Sequence, residues 1–401
     1  MRRCDAVVVG GGPAGSSCAW ALRRGGADVV VIDRAPFPRD KVCAGWITPA
    51  VAAALELDAD DYRRGRTFQP ITGFRTGRIG NDEKDVETRY PRPVSFGIRR
   101  CEFDHYLLCR SGAEVRPGTA LTGLRREGER WIVNDEIEAP IVVGAGGHFC
   151  PVARHLGGGG GGEPIVAAQE FEVPLDAAQD CPVRPEVPEL YFARDLKGYG
   201  WCFRKQGVVN VGYGRFGSER LSAHVAGFLD FLRARGRLPA SVTGRLKGHA
   251  YLIYGTAPRP LVGDGVLLVG DAAGLAYAQS GEGIRPAVES GLLAASVLLG
   301  ARGRYRYEDL APYRRQIEAR FGRRDAKPGL ARLIPSRVLE ALGASVLGSS
   351  WLTRRIVLDR WFLHAHQPAL SPALHLPGSP QSSPSTAKGL AGTKSAIRPS
   401  L

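Results

Sequence analysis

The chain of 401 residues predicts an α/β fold (α+β overall), in which a Rossmann-like nucleotide-binding domain is interleaved with an antiparallel-sheet domain and followed by a helical C-terminal part. Three observations predict it. The chain begins with an apolar run, a glycine-rich turn and a second apolar run that ends in an acid. Segments of strand character, many of them alternating, fill the middle of the chain, which is typical of antiparallel strands. Apolar residues at helical spacing follow from about residue 285.

The N-terminal unit predicts a dinucleotide site. Its glycines allow a tight turn, the close approach of phosphate and close packing of the helix on the strand. The helix start directs free N–H groups and a positive dipole end at phosphate, and the terminal acid accepts hydrogen bonds from a ribose. The predicted nucleotide-binding residues are Gly10, Gly12, Pro13, Ala14 and Gly15 in the turn and helix start, and Asp33 and Arg34 after the second strand.

Composition and charge limit the classes of partner that the protein can be expected to bind. The net charge is +14, but the arginines are dispersed and no recognition helix or RNA-binding signature is evident, so we expect no nucleic-acid partner. An anionic cofactor and anionic lipid head groups explain the charge instead. No His/Cys cluster has zinc-site spacing, so we expect no metal. Eight cysteines without Cys-x-x-Cys pairs indicate reduced thiols and therefore a cytoplasmic protein. Peripheral contact with the inner face of the membrane is a separate expectation.

A second block lies far along the chain. An apolar strand at 266–269 delivers Asp271 into a turn of small residues that includes Gly274, where another molecule can approach closely. Gly281, Gly283 and Ile284 then precede a helix predicted from 285. The N-terminus of that helix, directed at the N1–C2=O edge of a flavin, would stabilise the anion formed on reduction. Asp271 is expected to bind ribityl hydroxyls, and capping of its own turn is the alternative.

These blocks carry a family resemblance. The glycine turn at 10–15, Arg100-x-x-Phe103-Asp104 and the segment 270–284 occur in the order found in FAD-dependent oxidoreductases built like para-hydroxybenzoate hydroxylase, which the chain resembles over residues 1–300. The segments 37–45 and 281–291 are similar to those of the geranylgeranyl reductase branch. The resemblance therefore implies FAD as the cofactor.

The resemblance also implies roles for single residues. The glycine turn and Asp33 would hold the adenosine diphosphate, and Arg100 would neutralise phosphate or bridge to the ribityl chain. Without the resemblance, Arg100 is a surface arginine and Cys43 a small buried hydrophobe. The remaining implied flavin-binding residues are Lys41, Cys43 and Ala44 beside the ring, Asp271 and Gly274 at the ribityl chain, and Gly281, Gly283 and Ile284 through their backbone N–H groups.

An aromatic strand indicates the substrate. Tyr199, Trp201 and Phe203 share one face, which suits a methyl-branched isoprenoid chain, and the alternative is that these rings form the core of the sheet. The strand resembles the PxxYxWxFP motif of the reductase branch. Leu196 and Arg204 stand where that motif has prolines.

The predicted reaction is hydride transfer from reduced FAD to a carbon–carbon double bond of an isoprenoid lipid. Cys43, Tyr199 and His148 are the candidates for catalysis and for supplying the proton. Gly146 stands where many hydroxylase relatives have an aspartate, which argues against tight nicotinamide use, so NADPH, ferredoxin and other donors stay open. A monooxygenase or halogenase on the same fold is the first alternative, and a flavoprotein that only relays electrons is the second.

The domain boundaries follow from these segments. We expect an FAD-binding domain at 1–64, 99–162 and 255–305, and a substrate domain at 65–98 and 163–254. A helical region at 306–367 and a disordered Pro/Ser/Ala/Gly/Lys-rich tail at 368–401 complete the chain. The glycine run at 157–162 is expected to be a crossover loop. The apolar and basic segment 351–364 either lies on a membrane surface or packs on the body of the protein.

Overall fold

The computed structural model describes residues 1–80, 85–157, 163–175, 181–255, 259–324 and 336–371. Residues 372–401 of the expected tail and residues 158–162 of the glycine run lie outside the described residues.

The strands and helices follow the predicted order. The strands are β1 (Arg2–Arg3), β2 (Ala6–Val9), β3 (Val29–Asp33), β4 (Trp46–Ile47), β5 (Gln69–Ile71), β6 (Gly73–Arg78), β7 (Val86–Arg89), β8 (Ser95–Gly97), β9 (Glu114–Pro117), β10 (Leu124–Glu127), β11 (Arg130–Val133), β12 (Ile137–Ala139), β13 (Val142–Gly144), β14 (Ile165–Pro174), β15 (Glu189–Phe192), β16 (Gly198–Lys205), β17 (Val208–Phe216), β18 (Lys247–Leu252), β19 (Val262–Gly263) and β20 (Val266–Leu268). The helices are α1 (Pro13–Arg24), α2 (Pro49–Ala54), α3 (Ala59–Arg63), α4 (Arg100–Arg110), α5 (Pro151–His155), α6 (Leu221–Ala234), α7 (Ile284–Ala301), α8 (Tyr307–Phe321), α9 (Ser336–Gly348) and α10 (Ser350–Leu352). Gly270–Ala273 forms a 3₁₀ turn and Thr353–Phe362 a π-helical segment.

The Rossmann-like prediction is confirmed by a six-stranded sheet in the order β19-β20-β13-β2-β3-β9. Its strands are parallel except for β19. The valines of β2 and β3 are buried, as expected for a parallel sheet that is covered on both faces. Helices α1 and α7 pack closely against each other, so the start of each helix lies near the carboxyl ends of the strands.

The antiparallel sheet is also present, with seven strands in the order β18-β14-β17-β16-β15-β6-β7. Its neighbours pair antiparallel except for β15 and β6. Because side chains alternate along a strand, Cys202 of β16 faces α6 in one apolar cluster, whereas Trp201 and Phe203 face the opposite cluster. Two smaller sheets, β4-β8-β5 and β1-β12-β11-β10, complete the strand pairing in the described residues. The domain boundaries themselves stay a prediction.

Two helical segments bear on membrane contact. Among the described residues, α7 is the one helix that is long and apolar enough to cross a membrane, with a mean hydropathy of 1.3, yet 78% of it is buried. Because most of α7 is buried, it packs as a core helix. Val357, Leu358 and Phe362 of the π-helical segment are buried against Trp46 and the aromatic face of β16, so these residues pack on the body of the protein.

Candidate functional site

A cavity of about 930 Å³ connects the N-terminal glycine turn with the aromatic face of β16. It lies where the two large sheets meet, and the edge strand β18 of the seven-stranded sheet contributes to its lining. The sequence-predicted residues that line it are Gly10, Gly12, Pro13, Ala14, Asp33, Arg34, Lys41, Cys43, Ala44, Arg100, His148, Tyr199, Trp201, Asp271, Gly281, Gly283 and Ile284. The fold thus collects these predicted residues, which are separated by up to 274 positions, around a single cavity.

Three predicted site residues do not line the cavity. Gly15 is buried in α1, where a Cβ would overlap the carbonyl oxygen of Gly10, so its role is close packing of the helix on β2. Gly274 ends the 3₁₀ turn in the left-handed region (φ 66°) and lies against Leu252. Phe203 is stacked behind Trp46 with ring centroids 4.9 Å apart. Trp46, which the sequence did not indicate, reaches the cavity in its place.

The glycine end of the cavity is built for a phosphate and a ribose. No described side chain caps the N-terminus of α1, so its first N–H groups are available to an anion. The Asp33 carboxylate accepts hydrogen bonds from the backbone N–H groups of Gly11 and Ala35, both at 2.8 Å, which fixes its orientation. The Arg39 guanidinium lies 3.4 Å from the Asp104 carboxylate, and a Cβ at Gly12 would meet it. A positive group thus lies beside the open helix end.

A charged cluster occupies the middle of the cavity. The Asp271 carboxylate lies 4.0 Å from Lys41 Nζ and 3.7 Å from His249 Nε2, and Lys41 and His249 contact each other. Burial acts to raise the pKa of Asp271, but the nearby His249 and the charges of Lys41 and Arg100 outweigh it and lower that pKa to about 2. Burial lowers the pKa of Lys41 to about 8 although Asp271 opposes this. Asp271 is therefore an anion at neutral pH.

Arg100 is oriented by its own helix. Its Nε and Nη2 donate to the two oxygens of Asp104, each at 2.8 Å, in a buried pair one helical turn apart. The guanidinium also lies close enough to Cys43 for the two side chains to interact. Arg100 is thus held at the cavity between Asp104 and the segment that carries Cys43, and its role toward phosphate or the ribityl chain stays a prediction.

A buried polar network fixes the segment that carries Cys43. The Cys43 backbone N–H donates to Glu170 (2.7 Å), and the Asn210 side-chain amide donates to the Cys43 carbonyl oxygen (3.3 Å). Asn210 Oδ1 in turn accepts the Trp201 indole N–H at 2.6 Å. Lys205 Nζ donates to the carbonyl oxygen of Ala44 at 3.0 Å. Trp201 and Cys43 are therefore positioned by the same neighbouring side chains.

The aromatic end lies beside the start of α7. The Tyr199 hydroxyl donates to the Ser280 carbonyl oxygen at 2.6 Å, and burial raises the pKa of Tyr199 well above its usual value. His148 lines the cavity beside the exposed Phe149, and burial together with Arg259 lowers its pKa. Of the three predicted proton donors, Tyr199 thus already donates its proton to a backbone oxygen, and His148 is neutral at pH 7.

The residues present fit FAD. A free helix N-terminus with Arg39 suits a pyrophosphate, and the Asp33 and Asp271 carboxylates suit ribose and ribityl hydroxyls. Gly281, which has φ 68°, lies so close to Tyr251 that a Cβ would overlap the tyrosine hydroxyl, so only glycine allows this close contact at the cavity. His249 and Tyr251 could not be predicted as lining residues, because they come from β18 and no motif surrounds them.

The close packing at Gly15 makes a stability prediction. Replacing Gly15 by alanine should lower the free energy of unfolding by about 3 kcal/mol, because the new Cβ forces α1 away from Gly10. The matched control is Gly300→Ala, where the added Cβ meets nothing within 4 Å and the helix should gain stability. Chemical denaturation of both variants measures the difference. Equal stability of the two would show that the packing of α1 on β2 is wrong.

Comparisons with known proteins give a consistent result. A family model described as FAD dependent oxidoreductase matches residues 5–74. The chain is 31% identical over 314 residues to a menaquinone reductase of Mycobacterium tuberculosis, which covers 73% of this chain and 76% of that protein. It is 28% identical over 313 residues to a digeranylgeranylglycerophospholipid reductase of Methanocaldococcus jannaschii, with coverage of 73% and 76%.

A solved structure has the same fold. The geranylgeranyl bacteriochlorophyll reductase-like protein of Thermoplasma acidophilum superposes with a TM-score of 0.73 at 21% identity, over 90% of this chain and 97% of that protein. The chain belongs to the geranylgeranyl reductase-like family of FAD-dependent oxidoreductases, which also includes menaquinone reductases, and it is an FAD-dependent reductase acting on carbon–carbon double bonds.

Proposed function

We propose that this reductase acts on the carbon–carbon double bonds of a geranylgeranyl-type isoprenoid lipid. The observation that carries the proposal is the aromatic wall, formed by Tyr199, Trp201 and Trp46, which closes the cavity next to the loop at 280–284. Relatives whose names specify menaquinone and a digeranylgeranyl phospholipid support a hydrophobic substrate. FAD, when bound, supplies the hydride.

The aromatic wall suits an apolar chain because its polar atoms are already paired. The Trp201 indole N–H donates to Asn210, and the Tyr199 hydroxyl donates to Ser280. Both rings can therefore contact an apolar ligand without leaving a buried hydrogen-bond donor unpaired. Ala168, Ala250 and Ala276 also line the cavity, and their small side chains leave room for a chain with methyl branches. A flat alkene can therefore lie on the rings while water is excluded.

The other lining residues perform separate tasks. Lys41, Arg100 and Asp271 hold charge at the centre of the cavity, where they can orient the ribityl and phosphate parts of the cofactor. The network through Glu170 and Asn210 keeps Cys43 and Trp201 in place on opposite sides of one amide. An external reductant, such as NADPH or ferredoxin, must renew the reduced cofactor after each turnover.

Product analysis under anaerobic conditions tests the proposal. The FAD-loaded protein is reduced with dithionite and offered a geranylgeranyl phospholipid and, separately, menaquinone. We expect the geranylgeranyl lipid to gain two hydrogens for each double bond reduced, measured by mass spectrometry. If menaquinone is reduced and the geranylgeranyl lipid is not, the substrate is a prenylated quinone. Hydroxylated or halogenated products that require oxygen would contradict the proposal, and a reducible flavin without any product would make the protein an electron relay.

We also propose peripheral contact with the inner face of the membrane. Val338, Leu342 and Trp351 on α9 and α10 are 47%, 55% and 65% exposed, and Arg354 and Arg355 follow directly. The adjacent residues of the same segment pack over the aromatic wall. An exposed apolar side chain such as Trp351, with arginines close by, is suited to an anionic lipid surface. Trp351 also lies on the segment that covers the substrate end of the cavity.

Vesicle binding checks the membrane proposal. We expect the full chain to sediment with vesicles containing phosphatidylglycerol, and Trp351→Glu to lower its partition coefficient about tenfold because a charge replaces the exposed indole. Phe216→Glu is the control, since Phe216 is 43% exposed at the end of β17 on another element. Equal binding of Trp351→Glu and the unaltered protein would contradict the proposed surface.

A further inference from the structure

Glu282 is a buried carboxyl group that the site described above does not use. It lies between Gly281 and Gly283, lines the cavity and is 9% exposed. Its Oε1 accepts the backbone N–H of Arg285 at 3.0 Å, at the start of α7. Its Oε2 is buried and has no hydrogen-bond partner within the described residues. An unpaired carboxylate oxygen in such a place is costly unless it carries a proton or meets a ligand.

The nearest cation is already paired with other groups. The Arg285 Nε donates to Glu289 at 2.9 Å, and its Nη1 and Nη2 donate to the carbonyl oxygens of His364 and Gln367 at 3.3 and 2.9 Å. Arg320 also donates to Glu289. The charge of Arg285 therefore stabilises the Glu282 carboxylate only in part.

The elements packed around Glu282 supply neutral groups. The hydroxyls of Tyr199 on β16 and Tyr277 donate to Ser280 and Gln367, and Tyr251 of β18 lies beside Gly281. His364 stacks on Tyr277, and burial lowers its pKa to about 3, so this ring is uncharged. Burial raises the pKa of Glu282 to about 7 and the charge of the nearby Glu289 adds to the rise, while the Arg285 N–H and charge oppose it.

We propose that the Glu282 carboxylic acid donates the proton that completes reduction of the alkene. The inference rests on the proposed function. One alkene carbon receives a hydride from the reduced cofactor as the π bond breaks. The remaining electron pair forms a C–H bond with the Glu282 proton on the second carbon. Glu282 is left as a carboxylate and takes a proton from solvent, while the oxidised cofactor is reduced again by an external two-electron donor such as a reduced nicotinamide.

Glu282 meets the needs of this step better than Tyr199 and His148, two of the three donors that the sequence suggested. Tyr199 would have to break its bond to Ser280 and form a buried phenolate, and His148 is neutral. A carboxyl group near its midpoint at neutral pH both gives up and regains a proton readily. Its position inside the loop expected to face the flavin puts the acid on the same side of the cavity as the aromatic wall.

Two measurements on Glu282→Gln test the inference. In the protein without FAD, isotope-edited infrared spectroscopy should show a protonated carboxyl band that titrates near pH 7 and is missing in the variant. In the FAD-loaded protein, Glu282→Gln should bind FAD and be reduced by dithionite as before, yet reduce the alkene about 100-fold more slowly. The alkene reduction rate of the unaltered protein should fall as pH rises through about 7, and this dependence should vanish in the variant.

Tyr199→Phe tests the rival proton donor Tyr199. It should keep the pH dependence, because it retains Glu282 and the whole aromatic ring and loses only the hydroxyl. A Glu282→Gln rate within about threefold of the unaltered rate, with the same pH profile, would overturn the inference. An ionised Glu282 carboxyl at pH 6 would overturn it independently of any substrate. If the unaltered protein reduces no prenyl lipid, the proposed function fails, and the infrared titration still decides whether Glu282 holds a proton.

Discussion

Replacing Asp271 by alanine is expected to weaken FAD binding about 100-fold, because the loss removes charge-assisted hydrogen bonds to the ribityl chain. It also leaves Lys41 without its nearby carboxylate in the centre of the cavity. The purified variant should be colourless or nearly so, and titration with FAD, followed by quenching of flavin fluorescence, measures the dissociation constant.

Asp40→Ala is the matched control for Asp271→Ala. Asp40 also lines the cavity, but it pairs with Lys247 where both side chains are more than half exposed. A surface pair contributes little, so FAD affinity should change by no more than about threefold. Fully retained and reducible flavin in Asp271→Ala would show that the ribityl site is misplaced.

Replacing Trp201 by alanine should lower kcat/KM for a prenyl lipid about 100-fold while FAD is retained. The change removes the centre of the aromatic wall and leaves Asn210 Oδ1 without the indole donor. The glycine end and the charged cluster are unaltered, so flavin content should not change. Steady-state kinetics with a detergent-solubilised geranylgeranyl lipid, together with the flavin absorbance, separate the two effects.

Trp351→Ala is the control for Trp201→Ala, because this indole is 65% exposed and lies outside the cavity. Its kcat/KM with the solubilised lipid should equal that of the unaltered protein. Trp201→Phe keeps an aromatic ring but loses the N–H, and we expect an intermediate loss of about tenfold. A Trp201→Ala variant with unaltered kcat/KM would exclude the aromatic wall as the substrate site.

Local sequence predicted the fold of the N-terminal strand–turn–helix–strand unit well. The strand, glycine turn, helix and acid are contiguous, so their geometry depends on neighbouring residues alone, and the structure has β2, α1 and β3 in that order. The alternation along β16 likewise predicted which side chains share a face. Which of those side chains reach the cavity depends on what packs behind them. The alternation puts Phe203 in the substrate site, but Trp46 of the distant strand β4 covers it.

Other parts of the site depend on contacts that no local pattern encodes. His249 meets Lys41 across 208 positions, and Asn210 meets Cys43 across 167, because strand pairing brings β17 and β18 to the cavity. Glu282 lies inside the motif at 281–284. That its Oε2 has no hydrogen-bond partner could not be predicted, because it depends on Arg285 pairing with Glu289 instead. Leu196 and Arg204, which replace motif prolines, lie outside the cavity lining, so the departure leaves the aromatic wall intact.

An anaerobic single turnover shows whether reduced FAD in this protein reduces a prenyl double bond. The protein is loaded with FAD, reduced with one equivalent of dithionite and mixed with a geranylgeranyl lipid while the visible flavin absorbance is recorded. We predict that the oxidised flavin spectrum returns without oxygen, at a rate that depends on the lipid concentration. A flavin that stays reduced with the lipid and reoxidises only when oxygen is admitted would contradict the proposed function.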